Sequence, residues 1–227
     1  MKRLTRSFFT KPTLLVAKAM LGKYLVRKMD NGNRILVGKI VETEAYIGPE
    51  DKASHAYKGK LTPRNRAEWL IGGHIYIYLV YGMYWQFNIS TGKAGAPECV
   101  LIRALEPILG QSANGSAKGG SASGGKAQSA KNDELNKRLA IRDLRRAAAG
   151  PGRLCRWLKL DKSFYGEDVT KSKRIWLMEG EKISKSQTRL PDRQVAKGPR
   201  IGIDYAGPKW ARVPWRFWIK SNPCVSA

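Results

Sequence analysis

Acidic residues are scarce in this chain. Its 227 residues carry 18 Asp and Glu against 42 Lys and Arg, for a net charge of +24 at pH 7 and a pI near 10.2. With no acidic block to offset it, that charge calls for a polyanionic partner: nucleic acid first, with an anionic membrane as the rival. Histidine is rarer still, with only His55 and His74, and the cysteines Cys99, Cys155 and Cys224 are far apart and odd in number. These shortages exclude a disulfide framework and a Cys/His zinc cluster, leave a metal site to be built almost wholly from carboxylates, and suit a reducing compartment. Long apolar runs are missing too. No stretch approaches the roughly 18 residues of a membrane-spanning helix, and the start, Met1-Lys2-Arg3-Leu4-Thr5-Arg6 leading to Phe8-Phe9 and Lys11-Pro12, holds no signal-peptide core. An intracellular protein without a membrane anchor is expected. Hydrophobic residues, at 42%, are sufficient for a substantial core, and the length fits one large domain or two small ones.

Against this basic background, the carboxylates of Val41-Glu42-Thr43-Glu44-Ala45-Tyr46 need an explanation. Residues 34–41 read as a strand and Gly48-Pro49 as a turn, so Glu42, Glu44 and Tyr46 are expected to leave the strand end on one face, with His55 following after a polar loop. A carboxylate, an aromatic ring and a histidine then come within reach of one pocket. The plainer alternative is surface pairing of Glu42 and Glu44 with Lys39 and Arg34.

The remaining elements follow from local chemistry. Pro12 before an apolar run and Gly22 after it bound a short helix. Residues 24–29 and 34–41, joined by Asp30-Asn31-Gly32-Asn33, form a hairpin. Thr62-Pro63-Arg64-Asn65-Arg66 opens a helix of one or two turns toward Leu70. Arginines at a helix start run against the macrodipole, and phosphate bound there would account for them. In His74-Ile75-Tyr76-Ile77-Tyr78-Leu79-Val80-Tyr81-Gly82-Met83-Tyr84, tyrosines alternate with aliphatics, which predicts a second hairpin running to Ser90 with Tyr81 and Met83 near its tip. Tyrosines also serve in ordinary cores, so each one taken singly is open to that reading. Residues 98–106 read as a strand whose Arg103, inside an apolar run, must face a paired or functional site. Residues 110–131 shift to Gly, Ser, Ala and Lys and read as a flexible insertion. A helix is expected over 132–149, another over 153–160 after Gly150-Pro151-Gly152, and strands at 174–178, 195–203 and 215–220. The basic residues between Arg193 and Lys220, opposed only by Asp204, predict a phosphate-facing surface, with a merely solvated face as the alternative.

A basic protein with an aromatic-tipped hairpin, a Tyr/His pocket and one carboxylate at its floor is suited to chemistry on a base taken out of the duplex stack. Hydrolytic excision asks for a water activated by a carboxylate and for stabilisation of an oxocarbenium-like sugar, and does not require a metal. Aromatic faces favour cationic bases, by about 2 kcal/mol or more when desolvated, which selects alkylated purines. A non-catalytic basic module gripping DNA or RNA would explain the charge and the tyrosines, but not the acid.

The string from Val41-Glu42-Thr43-Glu44-Ala45-Tyr46-Ile47-Gly48-Pro49-Glu50-Asp51 through His55, Thr62-Pro63-Arg64-Asn65-Arg66, Tyr76-Ile77-Tyr78, Tyr81-Gly82-Met83-Tyr84 and Asn88-Ile89-Ser90 to Leu101-Ile102-Arg103-Ala104-Leu105-Glu106-Pro107 resembles the alkyladenine (3-methyladenine) DNA glycosylase family. The match begins near Phe8 and resumes at Gly150-Pro151 and Leu154-Cys155. The resemblance implies a single mixed α/β (α+β) domain spanning 1–227, built on a curved antiparallel sheet with flanking helices and a protruding hairpin, and working as a monomer on damaged duplex DNA without metal or organic cofactor. It implies that Glu44 activates the water and that Arg103 contacts that water or a phosphate. Tyr46, His55 and Tyr78 would hold the flipped base, and Asn88 would crowd the amino group of normal guanine. Tyr81, with Met83 beside it, would fill the vacated stack, and Thr62, Arg64 and Arg66 would hold phosphate. The compartment would be a bacterial nucleoid or a eukaryotic nucleus. The chain departs from the family in the Gly/Ser/Ala-rich insertion and at Trp85, Gln86 and Phe87.

Overall fold

The longest strand lies inside the sheet rather than at its edge. In the computed structural model, which describes residues 2–29, 34–108, 143, 146–181 and 190–226, β2 (Arg34–Ile47) runs for 14 residues, with β1 (Tyr24–Met29) before it and β5 (Glu98–Pro107) along its other edge. The strand expected to stop at residue 41 therefore continues through Glu42, Glu44 and Tyr46, which sit in mid-sheet rather than beyond a strand end. It can continue because both flanks stay paired. Where β1 ends, β8 (Arg216–Ile219) takes over, with Glu42 opposite Trp218 and Glu44 opposite Arg216. The open antiparallel sheet has eight strands in the order β3-β4-β5-β2-β1-β6, where β3 is Ile75–Val80, β4 is Tyr84–Ser90 and β6 is Ile175–Met178; β7 (Val195–Gly198) joins through β8.

Helices are few and short among the described residues. α1 (Arg6–Phe9) and α2 (Thr13–Met20) precede the sheet, with Pro12 at the N-cap of α2. α3 (Pro151–Trp157) starts at Pro151 after Gly150, and α4 (Pro208–Arg212) starts at Pro208 after Gly207. Proline in the first turn sacrifices no helical hydrogen bond, because the N–H it lacks would have had no partner there. The helix expected from Thr62 is instead a bend followed by one 3₁₀ turn, Arg66–Trp69. A turn that short builds almost no macrodipole, so it does not draw phosphate as a helix start would. The turn Asp30–Asn33, the 110–131 insertion and most of the expected 132–149 helix lie outside the described residues. Of the late strands, 195–203 shortens to β7, and Ile203 is the residue before a 3₁₀ turn, Asp204–Ala206.

The two-residue period of a strand divides the sheet into two chemically different faces. One face presents Ile75, Ile77, Phe87, Ile89, Val100, Ile102 and Ala45 to α2 and α3, where Val16, Ala17, Met20, Leu154 and Leu158 complete the core. Thr43 belongs to this face, and its hydroxyl donates to the Ala17 carbonyl of α2 at 3.0 Å. The opposite face carries Glu44, Tyr46, Tyr76, Tyr78, Asn88, Leu101 and Arg103. Register lines several of these up: Glu44 lies opposite Leu101, Leu101 opposite Asn88, and Asn88 opposite Tyr76, one row across four strands.

Candidate active site

The polar face lines a cavity of about 490 Å³ whose walls include Tyr46, His55, Arg64, Glu68, Tyr76, Tyr78, Tyr81, Asn88, Cys99 and Arg103. The segment 201–205 closes it from the other side with Ile201, Ile203 and Tyr205. Glu44 lies beneath this wall with no exposed surface, bonded to three of the residues that form it. Tyr46 donates its hydroxyl to Glu44 Oε2 at 2.8 Å, the Ile201 N–H donates to Oε1 at 2.8 Å, and Arg103 Nη1 faces the same Oε1 at 3.3 Å. A carboxylate offers about four lone-pair positions. Among the described residues, Oε1 takes the Ile201 and Arg103 contacts and Oε2 takes the Tyr46 hydroxyl alone, which leaves a lone-pair position on Oε2.

Arg103 reaches this carboxylate through a β-bulge. The pairing of β2 with β5 shifts register on either side of Glu42, so that Val41 and Arg103 have no direct partner across the ladder. Bulges of this kind bend the strand and redirect side chains. Arg103 then lies between Glu42, at 2.9 Å from Nε, and Glu44. Glu42 itself is fully buried off the cavity, where it accepts from Arg103, from Arg216 at 2.7 Å and from the Ser226 N–H at 2.7 Å. Surface pairing with Lys39 and Arg34 is therefore not what holds these acids; Lys39 faces Glu106 at 3.6 Å.

The electrostatics follow from burial. Desolvation pushes the Glu44 carboxyl above its ordinary value, while Arg103, the Ile201 N–H and the Tyr46 hydroxyl pull it back. Burial, and then the neighbouring Glu44, raise Tyr46 well above the phenol range, so its hydroxyl remains a donor. Burial works against the Arg103 charge, but the Glu44 and Glu42 carboxylates more than offset it. His55 is driven down to about 4, by burial first and then by the charge of Arg64, so the imidazole is neutral near pH 7. Its Nδ1 lies 2.6 Å from the Tyr76 hydroxyl, and its ring packs edge-on to Tyr78 with centroids 4.6 Å apart.

The hairpin tip stands apart from the cavity floor. Tyr81 has φ 52 and Gly82 φ 67, and the Met83 N–H bonds back to the Val80 carbonyl at 3.1 Å, as a two-residue turn with left-handed central residues requires. An aromatic residue in that region is uncommon and costs backbone energy. The turn leaves Tyr81 86% and Met83 65% exposed.

The structure brings Tyr46, His55, Tyr78, Asn88, Arg103 and Tyr81 to one cavity, with Glu44 under it; Met83, Thr62 and Arg66 do not line it. Thr62 bonds within its own turn to Asn65, and Arg64 packs over the Tyr78 ring at 5.2 Å while donating to the Leu79 carbonyl. Arg200 was expected on a phosphate-facing surface. It is instead buried, clamping both oxygens of Asp51 at 2.5 and 2.9 Å and packing over Tyr46. It thereby ties the loop bearing His55 to the strand bearing Tyr46. Arg216 is likewise drawn in by Glu42, because a buried carboxylate needs a charged partner. Sequence reasoning missed Glu68, Cys99, Ile201 and Tyr205 as parts of the site; apart from the resemblance around residues 76–107, no local pattern marks them. Among the described residues, no group of three or more His, Cys, Asp or Glu side chains could hold a metal ion, and no helix is long and apolar enough to cross a membrane.

Known proteins match this chain along nearly its whole length. Residues 7–223 match the family model for methylpurine-DNA glycosylase. The DNA-3-methyladenine glycosylase of Mus musculus is 40% identical over 224 residues, covering 99% of this chain and 61% of its own length, so the chain spans about three-fifths of that relative. The human protein of the same name is 38% identical over 99% of this chain and 68% of its own length. A Methanocella arvoryzae protein, provisionally named a 3-methyladenine DNA glycosylase, is 41% identical over 98% of this chain and 95% of its own. The chain belongs to the methylpurine-DNA glycosylase family.

Proposed function

We propose that this protein is a monomeric DNA glycosylase that extrudes alkylated or deaminated purines from duplex DNA and hydrolyses their N-glycosidic bond, opening base excision repair in the nucleoid or nucleus. The observation that carries the reading is Glu44: a buried carboxylate under an aromatic cavity, held by Tyr46, Ile201 and Arg103 with one lone pair of Oε2 still available. A water bound there loses its proton to Oε2 as its oxygen attacks C1′ of the deoxyribose. The C1′–N bond breaks, and its electron pair leaves with the base. A cationic purine such as 3-methyladenine or 7-methylguanine departs neutral by that step alone. The negative charge of Glu44 also stabilises the positive sugar in the transition state.

Tyr46, His55 and Tyr78 supply faces and edges for the extruded base, and Asn88 limits substituents at one base edge; its register with Leu101 and Tyr76, on the cavity face, supports that role. Tyr81 is offered as the wedge, since exposure and a strained backbone are otherwise a poor use of a tyrosine. Arg64, Arg66 and Thr62 are offered as phosphate contacts. Hypoxanthine and ethenoadenine belong to the same reading as uncharged substrates. A binding module without catalysis gives no role to a carboxylate held under the cavity by residues of its wall, whereas Glu42, equally buried, is taken up off the cavity by Arg103, Arg216 and Ser226. Incubating methylated duplex DNA with the protein should yield alkali-labile abasic sites in single-turnover conditions. A protein that binds this DNA and leaves every base in place is a binding module and not a glycosylase.

A further inference from the structure

Among the described residues, Glu68 is the one carboxyl that lines the cavity itself, and the mechanism leaves it unused. It rides on the 3₁₀ turn Arg66–Trp69 and is 2% exposed. Its Oε1 lies 3.5 Å from the Cys99 thiol, which also points toward Asn88 Oδ1 at 3.8 Å, whereas its Oε2 is buried without any hydrogen-bond partner among the described residues. A buried carboxyl oxygen with no partner is expensive, and it is tolerated where a ligand completes it.

The groups around Glu68 decide which form it takes. Cys99 of β5, Tyr76 and Tyr78 of β3, Tyr165 after α3, and Asp51 of the loop after β2 all act on it or are acted on by it, while the cations nearby, Arg64 and Arg103 of the cavity wall and Arg66 of its own turn, are not among the groups that shift it. Desolvation, opposed by the Cys99 contact and reinforced by Asp51, raises its carboxyl from 4.5 to about 8. Near pH 7 the group is a neutral acid. With Oε1 next to the thiol, the proton belongs on Oε2, which makes that atom a hydrogen-bond donor.

We propose that Glu68 is a specificity-determining residue that donates a hydrogen bond from Oε2 to N7 of the extruded purine. This rests on the glycosylase reading and adds to it a substrate preference. Hypoxanthine offers a free N7 lone pair, while 7-methylguanine has its N7 blocked by the methyl group; the O6 acceptor is common to both bases and does not distinguish them. The donor therefore favours the neutral deaminated purine over the 7-methylated cation.

The test compares single-turnover excision of hypoxanthine and of 7-methylguanine from otherwise identical duplexes by the parent protein, Glu68→Gln and Glu68→Leu. Gln retains an N–H donor and Leu has none. The hypoxanthine to 7-methylguanine rate ratio is expected to fall about tenfold in Glu68→Leu and to change less than threefold in Glu68→Gln. As pH rises through about 8, the parent's ratio should fall relative to that of Glu68→Gln, whose amide does not titrate; titration of the bases themselves is common to both proteins and cancels. If Glu68→Leu slows both substrates equally through a folding defect, this pH comparison between the parent and Glu68→Gln still decides. An unchanged parent-to-Gln comparison across pH overturns the proposal. So does a Glu68→Gln protein that loses 7-methylguanine excision selectively, which would make Glu68 an ionised counter-charge to cationic bases. A parent that excises 7-methylguanine and leaves hypoxanthine untouched overturns the proposal while the glycosylase reading stands; a parent that also leaves methylated duplex DNA without abasic sites overturns both.

Discussion

Glu44→Gln separates chemistry from architecture. Gln has the same shape as Glu, so its side-chain oxygen can still accept from the Ile201 N–H, now at 2.8 Å from Oε1, and its amide nitrogen can donate to Tyr46, whose hydroxyl turns from donor to acceptor. Arg103 keeps its pair with Glu42 at 2.9 Å. Folding and lesion binding should therefore survive. What disappears is the proton acceptor on Oε2 and the negative charge under the sugar. A positioned base alone contributes about a hundredfold or more, and a hundredfold corresponds to about 2.7 kcal/mol of transition-state stabilisation. Single-turnover cleavage of a methylated duplex should fall at least that far, while the dissociation constant for the same duplex moves by less than about threefold. Glu42→Gln is the comparison. Glu42 makes no contact with the cavity but satisfies Arg103, Arg216 and Ser226, so its loss should lower stability by about 3–5 kcal/mol, the usual cost of breaking a buried pair. Its effect on the rate, measured below the melting transition, should be much the smaller of the two. Cleavage by Glu44→Gln at the parental rate would remove Glu44 from the mechanism, and loss of folding along with binding would make it a structural acid.

Truncating Tyr81 to Ala should weaken capture of a lesion in duplex DNA much more than in a single strand, because only the duplex has a stack to refill; equal losses by fluorescence titration would make it an ordinary surface aromatic. Arg66→Ala should flatten the slope of log affinity against log salt by about one unit if Arg66 holds a phosphate, and an unchanged slope would leave it on a solvated face. Glu68 makes stability depend on pH: the folded state keeps a proton up to about 8 that the unfolded chain releases near 4.5, so stability is fully present below 4.5 and declines as pH rises to 8. Chemical denaturation of Glu68→Gln should show that decline reduced by on the order of a few kcal/mol, and parallel pH profiles would place the loss elsewhere. Gly38→Ala puts a methyl 2.9 Å from Leu105 Cβ and 3.2 Å from the Trp157 ring; overpacking there should cost about 1–3 kcal/mol and lower Tm by several degrees in calorimetry.

Much of this was legible in the chain because strands report themselves through a two-residue period. Ile75 and Ile77 alternate with Tyr76 and Tyr78, and that local pattern alone assigns the aliphatics to the core and the tyrosines to the other face. The hairpin turn at Tyr81-Gly82, the placement of Glu44 and Tyr46 on one face, and the requirement that Arg103 meet a paired or functional site come from neighbouring residues or from the elementary cost of burying charge; Glu42, expected beside Glu44 and Tyr46, is instead held off the cavity by Arg103, Arg216 and Ser226. Tertiary structure decided what depends on partners distant in sequence. That β2 runs on to Ile47 depends on β8, which arrives to pair with Glu42 and Glu44 from more than 170 residues away. The exposure of Arg200 and Arg216 could not be read from a basic segment, since only the fold brings Asp51 and Glu42 to draw them inside. For the same reason Glu68, an unremarkable acid in the sequence, becomes a neutral donor at the cavity wall: its charge state is set by the desolvation that other strands and loops impose on it, and no local pattern encodes that.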